Sequence, residues 1–238
     1  MKFSDRYDRQ IMLFGEKGQK RLSEAKVFIA GAGGLGSPVA VYLAIAGIKR
    51  LVIADCDTVS LSNLNRQFLH TKTDINSNKT DSARETLERL NDDVKIMTVT
   101  EPLSKDNILG LTIGCDLIID CLDNFKTRHV LNRAAIEKNI PLIHGAVSGW
   151  DGQATTIIPG HTPCLECIFP NIPPKEKFPI VGTTAGVIGT MQANEAVRIL
   201  TGNGATMAGR LLIWDGRASS IDEMHLLRDE KCPACSKI

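Results

Sequence analysis

The sequence predicts an α/β fold in two continuous halves, the first built on parallel strands and the second on antiparallel ones. Three observations carry that expectation. Residues 26–145 alternate short apolar runs with helix-compatible runs, the pattern of a parallel sheet with helices on both faces. A glycine-rich turn, Gly31-Ala32-Gly33-Gly34-Leu35-Gly36, joins the first apolar run to the first helix. Past Gly145 the alternation stops, and two Cys-x-x-Cys pairs appear among strand-like runs.

The elements follow in order. Residues 1–25 are polar with scattered apolar positions and predict short helices leaning on the main body. Strands are expected near 27–30, 51–54, 94–99, 117–120 and 141–145, with helices near 38–46, 79–90 and 127–139. Ser37 suits an N-cap and Pro38 the first helical position. The second half predicts antiparallel strands near 153–158, 210–214 and 220–227, with a helix at 186–200 that ends near Gly202. The proline-rich stretch at 170–179 reads as an exposed loop, because proline removes backbone donors and fixes φ. No linker-like shift of composition and no repeat divides the chain. One domain is expected over residues 1–238, with a nucleotide-binding half at 1–145 and a substrate-binding, zinc-holding half at 146–238.

Composition narrows the function classes. The chain has 238 residues, 43% hydrophobic and 23% charged, which is ordinary for a globular protein with a sizeable core. A net charge of +1 gives no electrostatic case for nucleic acid or an anionic membrane. No stretch is long and apolar enough to span a bilayer. The first ten residues are charged and lack a signal-peptide core, so the cytosol is the expected compartment. In a reducing compartment, Cys-x-x-Cys pairs point to metal rather than disulfides.

The chemistry begins at the glycine turn. Gly31 can take a backbone shape forbidden to side chains, Gly33 lets the main chain approach a ligand, and Gly36 lets helix pack on strand. Free amides and the helix dipole there favour phosphate. Asp55 ends the second strand, where a carboxylate can take ribose hydroxyl hydrogens. This strand–turn–helix context with an acidic residue beyond it makes a Rossmann-like half the reading. Asn63 and Arg66 follow in one loop, and Lys79 opens the next helix. Two cations favour a triphosphate over a dinucleotide pyrophosphate. The alternative leaves Arg66 and Lys79 as solvated surface charges.

Asp120 and Asp123 end a buried strand at the same edge. Carboxylates with phosphate oxygens are how proteins hold Mg²⁺, though Asp123 or Asn124 could instead cap the next helix. Cys164, Cys167, Cys232 and Cys235 supply four thiolates for a closed, structural zinc site that ties the C-terminus back. Cys56, Cys115 and Cys121 are small and are expected in the core, with Cys121, near the proposed site, also a candidate reactive thiol. The histidines show no ligand spacing and receive no role.

Together these pieces resemble the ThiF/MoeB/HesA family, prokaryotic relatives of ubiquitin-activating enzymes. The resemblance runs from Arg6 to Cys235 and rests on Arg6-Tyr7-Asp8-Arg9-Gln10, the glycine turn, residues 55–67, Lys79, Asp120-Cys121-Leu122-Asp123-Asn124 and the two cysteine pairs. It implies ATP, Mg²⁺ and Zn²⁺, and adenylation of the C-terminal glycine of a small ubiquitin-like sulfur carrier ending in Gly-Gly, with release of pyrophosphate. The activated carboxyl then serves sulfur transfer for thiamine, molybdopterin or thiolated tRNA. By matching motifs, Gly31, Gly33, Gly34, Gly36 and Asp55 would hold the nucleotide, with Asn63, Arg66 and Lys79 on its phosphates and Asp123 on Mg²⁺. Arg9 would reach the site of a neighbouring subunit in a homodimer, completing a catalytic set of Arg9, Arg66, Lys79 and Asp123.

One departure stands out. Many relatives carry a cysteine in the crossover loop, where this chain has Lys175, and no cysteine lies between Cys167 and Cys232. A covalent thioester step is therefore not expected, and a separate sulfur donor is. The other readings are a ThiF-like enzyme activating a small molecule or a tRNA, an NAD-dependent oxidoreductase on the same fold, and a non-catalytic scaffold. The near-neutral charge counts against tRNA. The Arg66, Lys79 and Asp123 set counts against the other two.

Overall fold

A twisted eight-stranded sheet in the order β3-β2-β1-β4-β5-β6-β7-β8 runs through the whole protein. The computed structural model describes residues 3–171 and 178–237. Its strands are β1 (Lys26–Ala30), β2 (Arg50–Ala54), β3 (Lys95–Val99), β4 (Leu117–Asp120), β5 (Leu142–Ser148), β6 (Asp151–Ile157), β7 (Arg210–Asp215) and β8 (Ser220–His225). The helices are α1 (Phe3–Arg6), α2 (Asp8–Glu24), α3 (Gly36–Ile45), α4 (Lys79–Leu90), α5 (Ile108–Leu111), α6 (Phe125–Lys138), α7 (Leu165–Ile168) and α8 (Gly182–Thr201).

Strands β3 to β5 pair in parallel, and β5 to β8 pair antiparallel. The mixed sheet is the predicted one. The apolar runs that read as buried strands are buried on both faces. Along β1, Val27 and Ile29 join a core with Leu43 of α3, Leu87 of α4 and Ala193 of α8. Phe28 and Ala30 face the other way, into a core with Ile108 of α5 and Leu131 of α6. Each such fully buried large side chain contributes about 1.5–3 kcal/mol relative to exposure.

Three local expectations are revised. α3 begins at Gly36 with Leu35 at its N-cap, so Ser37 is not the cap, and its hydroxyl donates back to the Gly33 carbonyl at 2.8 Å. Tight packing of Gly36 on the Gly31 carbonyl draws the helix start forward. α8 begins at Gly182 rather than near 186. A side chain at Gly182 would sit 2.7 Å from the Asn65 carbonyl, so packing there outweighs the poor helix propensity of the Gly-Thr-Thr start. β5 runs on to Ser148 because β6 pairs with its whole length. The short helices expected before β1 are present, with α2 broken at Gly15, where φ is 72°. Residues 172–177 of the proline-rich segment, Lys175 among them, lie outside the described residues.

Candidate active site

The chain leaves β1 for β2 on one side and later reaches β4 on the other. The carboxyl ends of β1 and β4 therefore form a topological switch point, where such sheets bind ligands. A cavity of 980 Å³ opens there, at the upper end of ligand-pocket sizes and roomy for a nucleotide with a second group.

The glycine turn forms its inner wall. Gly31 has φ of 101°, and a Cβ there would sit 2.6 Å from the Cys121 carbonyl. At Gly36 a Cβ would fall 2.0 Å from the Gly31 carbonyl, so neither glycine is replaceable. Gly33 and Gly34 line the cavity beside Gln67 and Arg66. Buried His70 braces the turn, with Nε2 at 3.0 Å from the Ala32 carbonyl and Nδ1 at 2.9 Å from Ser82 Oγ. Burial lowers the His70 pKa, so the neutral ring donates from Nε2 and accepts from Ser82. That role was missed in the sequence because its partners are far along the chain.

The carboxyl end of β2 supplies the next wall. Asp55 accepts from the Ala32 amide at 2.8 Å and from the Asp57 amide at 2.9 Å, which tethers glycine turn and loop together. A carboxylate has further lone pairs, so Asp55 keeps capacity for a hydroxyl. Lys79 is nearly buried, with Nζ 2.7 Å from Asp57 Oδ2 and 3.9 Å from Asp55 Oδ1. Its ammonium is thus held in place at the cavity rather than solvated. Arg66 also lines the cavity, its Nη1 at 2.9 Å from the Ser62 carbonyl and from Asn65 Oδ1. Among the described residues, Gln67 Oε1 is buried without a hydrogen-bond partner beside the glycine turn, an acceptor that a bound ligand would satisfy.

Beyond β4 the two aspartates divide. Asp120 is wholly buried, 2.6 Å from His144 Nδ1 and 3.3 Å from Arg128 Nε. Its Oδ1 accepts from the Leu122 amide at 3.0 Å. It is occupied by the protein and is removed from the Mg²⁺ candidates. Burial alone would raise its pKa, but the Arg128 guanidinium and His144 N–H hold the carboxyl below its ordinary value. Arg128 also donates to the carbonyls of Leu122 and Gly145, fixing the strand ends around the cavity. Asp123 lines the cavity, while Asn124 caps α6 by accepting from the Thr127 amide at 2.9 Å.

The predicted residues therefore sort plainly. Gly31, Gly33, Gly34, Asp55, Arg66, Lys79 and Asp123 come together around one cavity. Gly36 stands behind the turn as a packing residue. Asn63 does not line the cavity. Its Oδ1 accepts from the Ser60 amide at 3.1 Å and closes a short turn. Arg9 is exposed in the first turn of α2. Neighbouring Tyr7 packs on Gly47, and its hydroxyl accepts from Asn91 Nδ2 at 3.1 Å, near the amino ends of β2 and β3, whereas the cavity lies at the carboxyl ends.

Cys56 corrects an expectation. It is exposed and lines the cavity rather than filling the core, because Asp55 and Asp57 on either side keep the loop at the surface. Its thiol pKa is raised by partial burial and by those two carboxylates. Cys115 and Cys121 are buried as expected. Burial and Asp120 push the Cys121 thiol well above its usual value, leaving it an inert thiol 3.9 Å from Gln192 Oε1.

The two cysteine pairs meet under α6. Where α7 meets the C-terminal knuckle, Sγ–Sγ separations are 3.9 Å (Cys164–Cys167), 3.6 Å (Cys164–Cys232) and 3.4 Å (Cys167–Cys235). All four sulfurs lie within 4.8 Å of one another. Zn–S bonds of about 2.3 Å in a tetrahedron set sulfurs about 3.8 Å apart, so the cluster could hold zinc. Arg133 grips Glu166 with two bonds of 2.8 Å, and Asn132 Oδ1 accepts from the Leu165 amide at 3.0 Å, fastening the cluster to α6.

The ThiF family model matches residues 7–234. The chain belongs to the ThiF family. It is 41% identical over 241 residues to the adenylyltransferase and sulfurtransferase MOCS3 of Culex quinquefasciatus, covering 97% of this chain and 55% of that protein. The chain thus spans about half the length of that relative. It is 37% identical over 244 residues to the sulfur carrier protein adenylyltransferase of Thermus thermophilus, covering 97% of this chain and 90% of that one. Among solved structures, E. coli MccB with ATP superposes with a TM-score of 0.87 at 21% identity, over 97% of this chain and 74% of that one, and shows the same fold. No helix among the described residues is long and apolar enough to cross a membrane.

Proposed function

We propose that this ThiF-family adenylyltransferase uses ATP to activate the C-terminal glycine of a small ubiquitin-like sulfur-carrier protein, releasing pyrophosphate. One observation carries the reading. A single cavity joins a phosphate-seating glycine turn, a lysine held by two aspartates, Arg66 and Asp123 to an antiparallel sheet face lined by Ala146, Gln153 and Ile213. The relative named as a sulfur carrier protein adenylyltransferase and the one named as an adenylyltransferase and sulfurtransferase support it.

In the proposed reaction the tail carboxylate attacks the α-phosphorus of ATP. A P–O bond to the carboxylate forms, the bond to the β-phosphate breaks, and pyrophosphate carries the negative charge away. No general base is required, because a C-terminal carboxylate is already ionised at neutral pH. The obstacle is charge, since two anions must meet. Lys79, positioned by Asp57 and Asp55, and Arg66 would offset the charge on the departing pyrophosphate. Arg9 of a second copy would add to it in a homodimer. Asp123, at the cavity wall beside Asn124, would hold Mg²⁺ together with phosphate oxygens, and the ion supplies Lewis-acid stabilisation of that charge. Zinc in the four-cysteine cluster would be structural, because four thiolates leave no open position.

The reaction would stop at the carrier acyl-adenylate. The three cysteines outside the cluster offer no activated thiolate, since Cys115 and Cys121 are buried and the Cys56 pKa is raised. A separate sulfur donor would then attack the adenylate. The test is exchange of labelled pyrophosphate into ATP with ubiquitin-fold proteins ending in Gly-Gly, read beside intact mass of the enzyme. Carrier-dependent exchange without an enzyme adduct is expected. ATP-independent NADH binding would overturn the activity, and a thiol-labile adduct on Cys56 or Cys121 would overturn the stopping point.

A further inference from the structure

The buried Asp120 network does more than close the end of β4. It meets the cavity at Arg128 and, through His144, at Gln153 of β6, whose Nε2 lies 3.5 Å from His144 Nε2. The orientation of that amide follows from the ring. His144 Nδ1 is 2.6 Å from an ionised Asp120 oxygen and therefore carries its proton. The Arg128 guanidinium already balances Asp120 inside a fully buried cluster. A second proton on His144 would leave a net positive charge there, which burial disfavours. His144 Nε2 is thus a lone-pair acceptor, and the Gln153 NH₂ must face it. The Gln153 carbonyl oxygen then points away from the ring, and among the described residues nothing donates to it.

Its place on the sheet decides what it meets. Ala146, Gln153 and Ile213 are register partners across β5, β6 and β7, and all three line the cavity. The opposite face, with Gly145 and Gly152, is closed by Gln192 and Ile188 of α8. Gln153 therefore stands on the open face, at the antiparallel wall of the cavity across from the glycine turn. A carbonyl oxygen repels carboxylate and phosphate, so it serves neither reacting group. It calls for a donor. A Gly-Gly tail has no side-chain donors, and its only N–H groups are in the backbone.

We propose that Gln153 is a specificity residue that accepts a hydrogen bond from a backbone N–H in the tail of the carrier, with His144 as the positioning residue that fixes its amide. This rests on the adenylation reading above. A main-chain N–H drawn into a half-buried channel needs such an acceptor. The tail is thereby selected for an unsubstituted peptide nitrogen at one position, which excludes proline there.

The test uses pyrophosphate exchange with a Gly-Gly-ending carrier and with a synthetic peptide of the same tail, N-methylated in turn at each of the last three peptide nitrogens. Methylation at one nitrogen should raise KM for the tail about tenfold to hundredfold. Gln153→Leu should lose the same factor on the unmethylated tail, show no further loss with the methylated one, and keep its KM for ATP. Equal tolerance of every methyl group in both proteins would overturn the proposal, as would a changed KM for ATP, which would move Gln153 to the nucleotide. Imidazole ¹⁵N shifts should show His144 protonated at Nδ1 alone. Protonation at Nε2 would reverse the Gln153 amide and also overturn it. Exchange with no Gly-Gly tail at all would sink the adenylation reading itself, whereas exchange indifferent to Gln153 sinks only this step.

Discussion

The two halves of the sheet solve the same problem in different ways. In the parallel half, the chain itself fixes the glycine turn and the lysine that face the cavity. Asp55 ties the glycine turn to the β2 loop, His70 props the Ala32 carbonyl, and Lys79 is clamped by Asp57. In the antiparallel half, β8 is exposed along its whole length, and large apolar residues such as Ile221 and Met224 face solvent. Its C-terminal end is gathered by four cysteines rather than by a core of its own. The parallel half is preorganised by hydrogen bonds and burial. The other half gathers its end on a four-cysteine cluster that could hold zinc, and its last strand is exposed.

The largest effect expected from that contrast is metal removal. Structural zinc in small knuckles is worth about 10–16 kcal/mol of binding free energy. Cys232→Ser, or strong chelation, should release α7 and the C-terminal knuckle, while β1 to β4 keep their protection. Metal analysis should find one zinc per chain, and hydrogen exchange should localise the loss. Uniform loss of protection in both halves would erase the distinction. A protein that holds no zinc when freshly prepared and reduced would remove the cluster's role.

Next in size is the bond network between the halves. Asp120→Asn leaves the Arg128 guanidinium buried without its charge partner. Breaking such a pair costs about 3–5 kcal/mol. The acid limb sharpens the assignment. The folded carboxyl titrates below its unfolded value, so its contribution is complete above about pH 4 and disappears as pH falls through the folded pKa. Urea unfolding of the native protein should weaken across that window, and Asp120→Asn should flatten that part of the profile. Equal slopes in both proteins would show that Asp120 is not ion-paired.

Most of the parallel half was legible because its signals are local. The glycine turn, the strand ends and the α4 start at Lys79 each lie within a few residues of their cause. The cysteine pairs were legible for the same reason. What escaped were residues whose role depends on partners far along the chain. His70 meets Ala32, His144 meets Asp120, and Gln192 of α8 donates to the Asp120 carbonyl at 2.8 Å. None of these has a spacing signature. Asp120 and Asp123 looked equivalent three residues apart, and only burial separates the structural one from the one at the cavity. Cys56 was misjudged because Asp55 and Asp57 flank it just past the end of β2, where two carboxylates hold the loop at the surface.

That separation gives the third prediction. Asp123→Ala should lower pyrophosphate exchange on the order of a hundredfold or more, since metal stabilisation of transition-state charge is worth several kcal/mol. Unfolding free energy should move by about 0.5 kcal/mol or less, as for a surface site. Asp120→Asn should show the reverse balance, with a large stability cost. If Asp123→Ala retains full exchange, Asp123 leaves the mechanism and the two aspartates lose their division of roles.

The smallest expected signal asks whether the cavity is complete in one chain. Arg9 is exposed beside Tyr7, near the amino ends of β2 and β3, and Met12 and Leu13 in the same helix are 80% and 83% exposed. An arginine there serves its own site poorly, while exposed apolar neighbours suit burial against a second copy. In the proposed homodimer Arg9→Ala and Asp123→Ala are each inactive, but they spoil different chains' contributions. A mixed dimer then holds one site with an intact Arg9 from one protomer and an intact Asp123 from the other. Random exchange in a two-fold dimer makes half the dimers mixed, each with one working site, so about a quarter of native activity should return. Native mass spectrometry confirms that subunits have exchanged. Exchange without any recovery would mean that Arg9 does not act across an interface, and the parallel half would then have to supply its charge stabilisation from Lys79 and Arg66 alone.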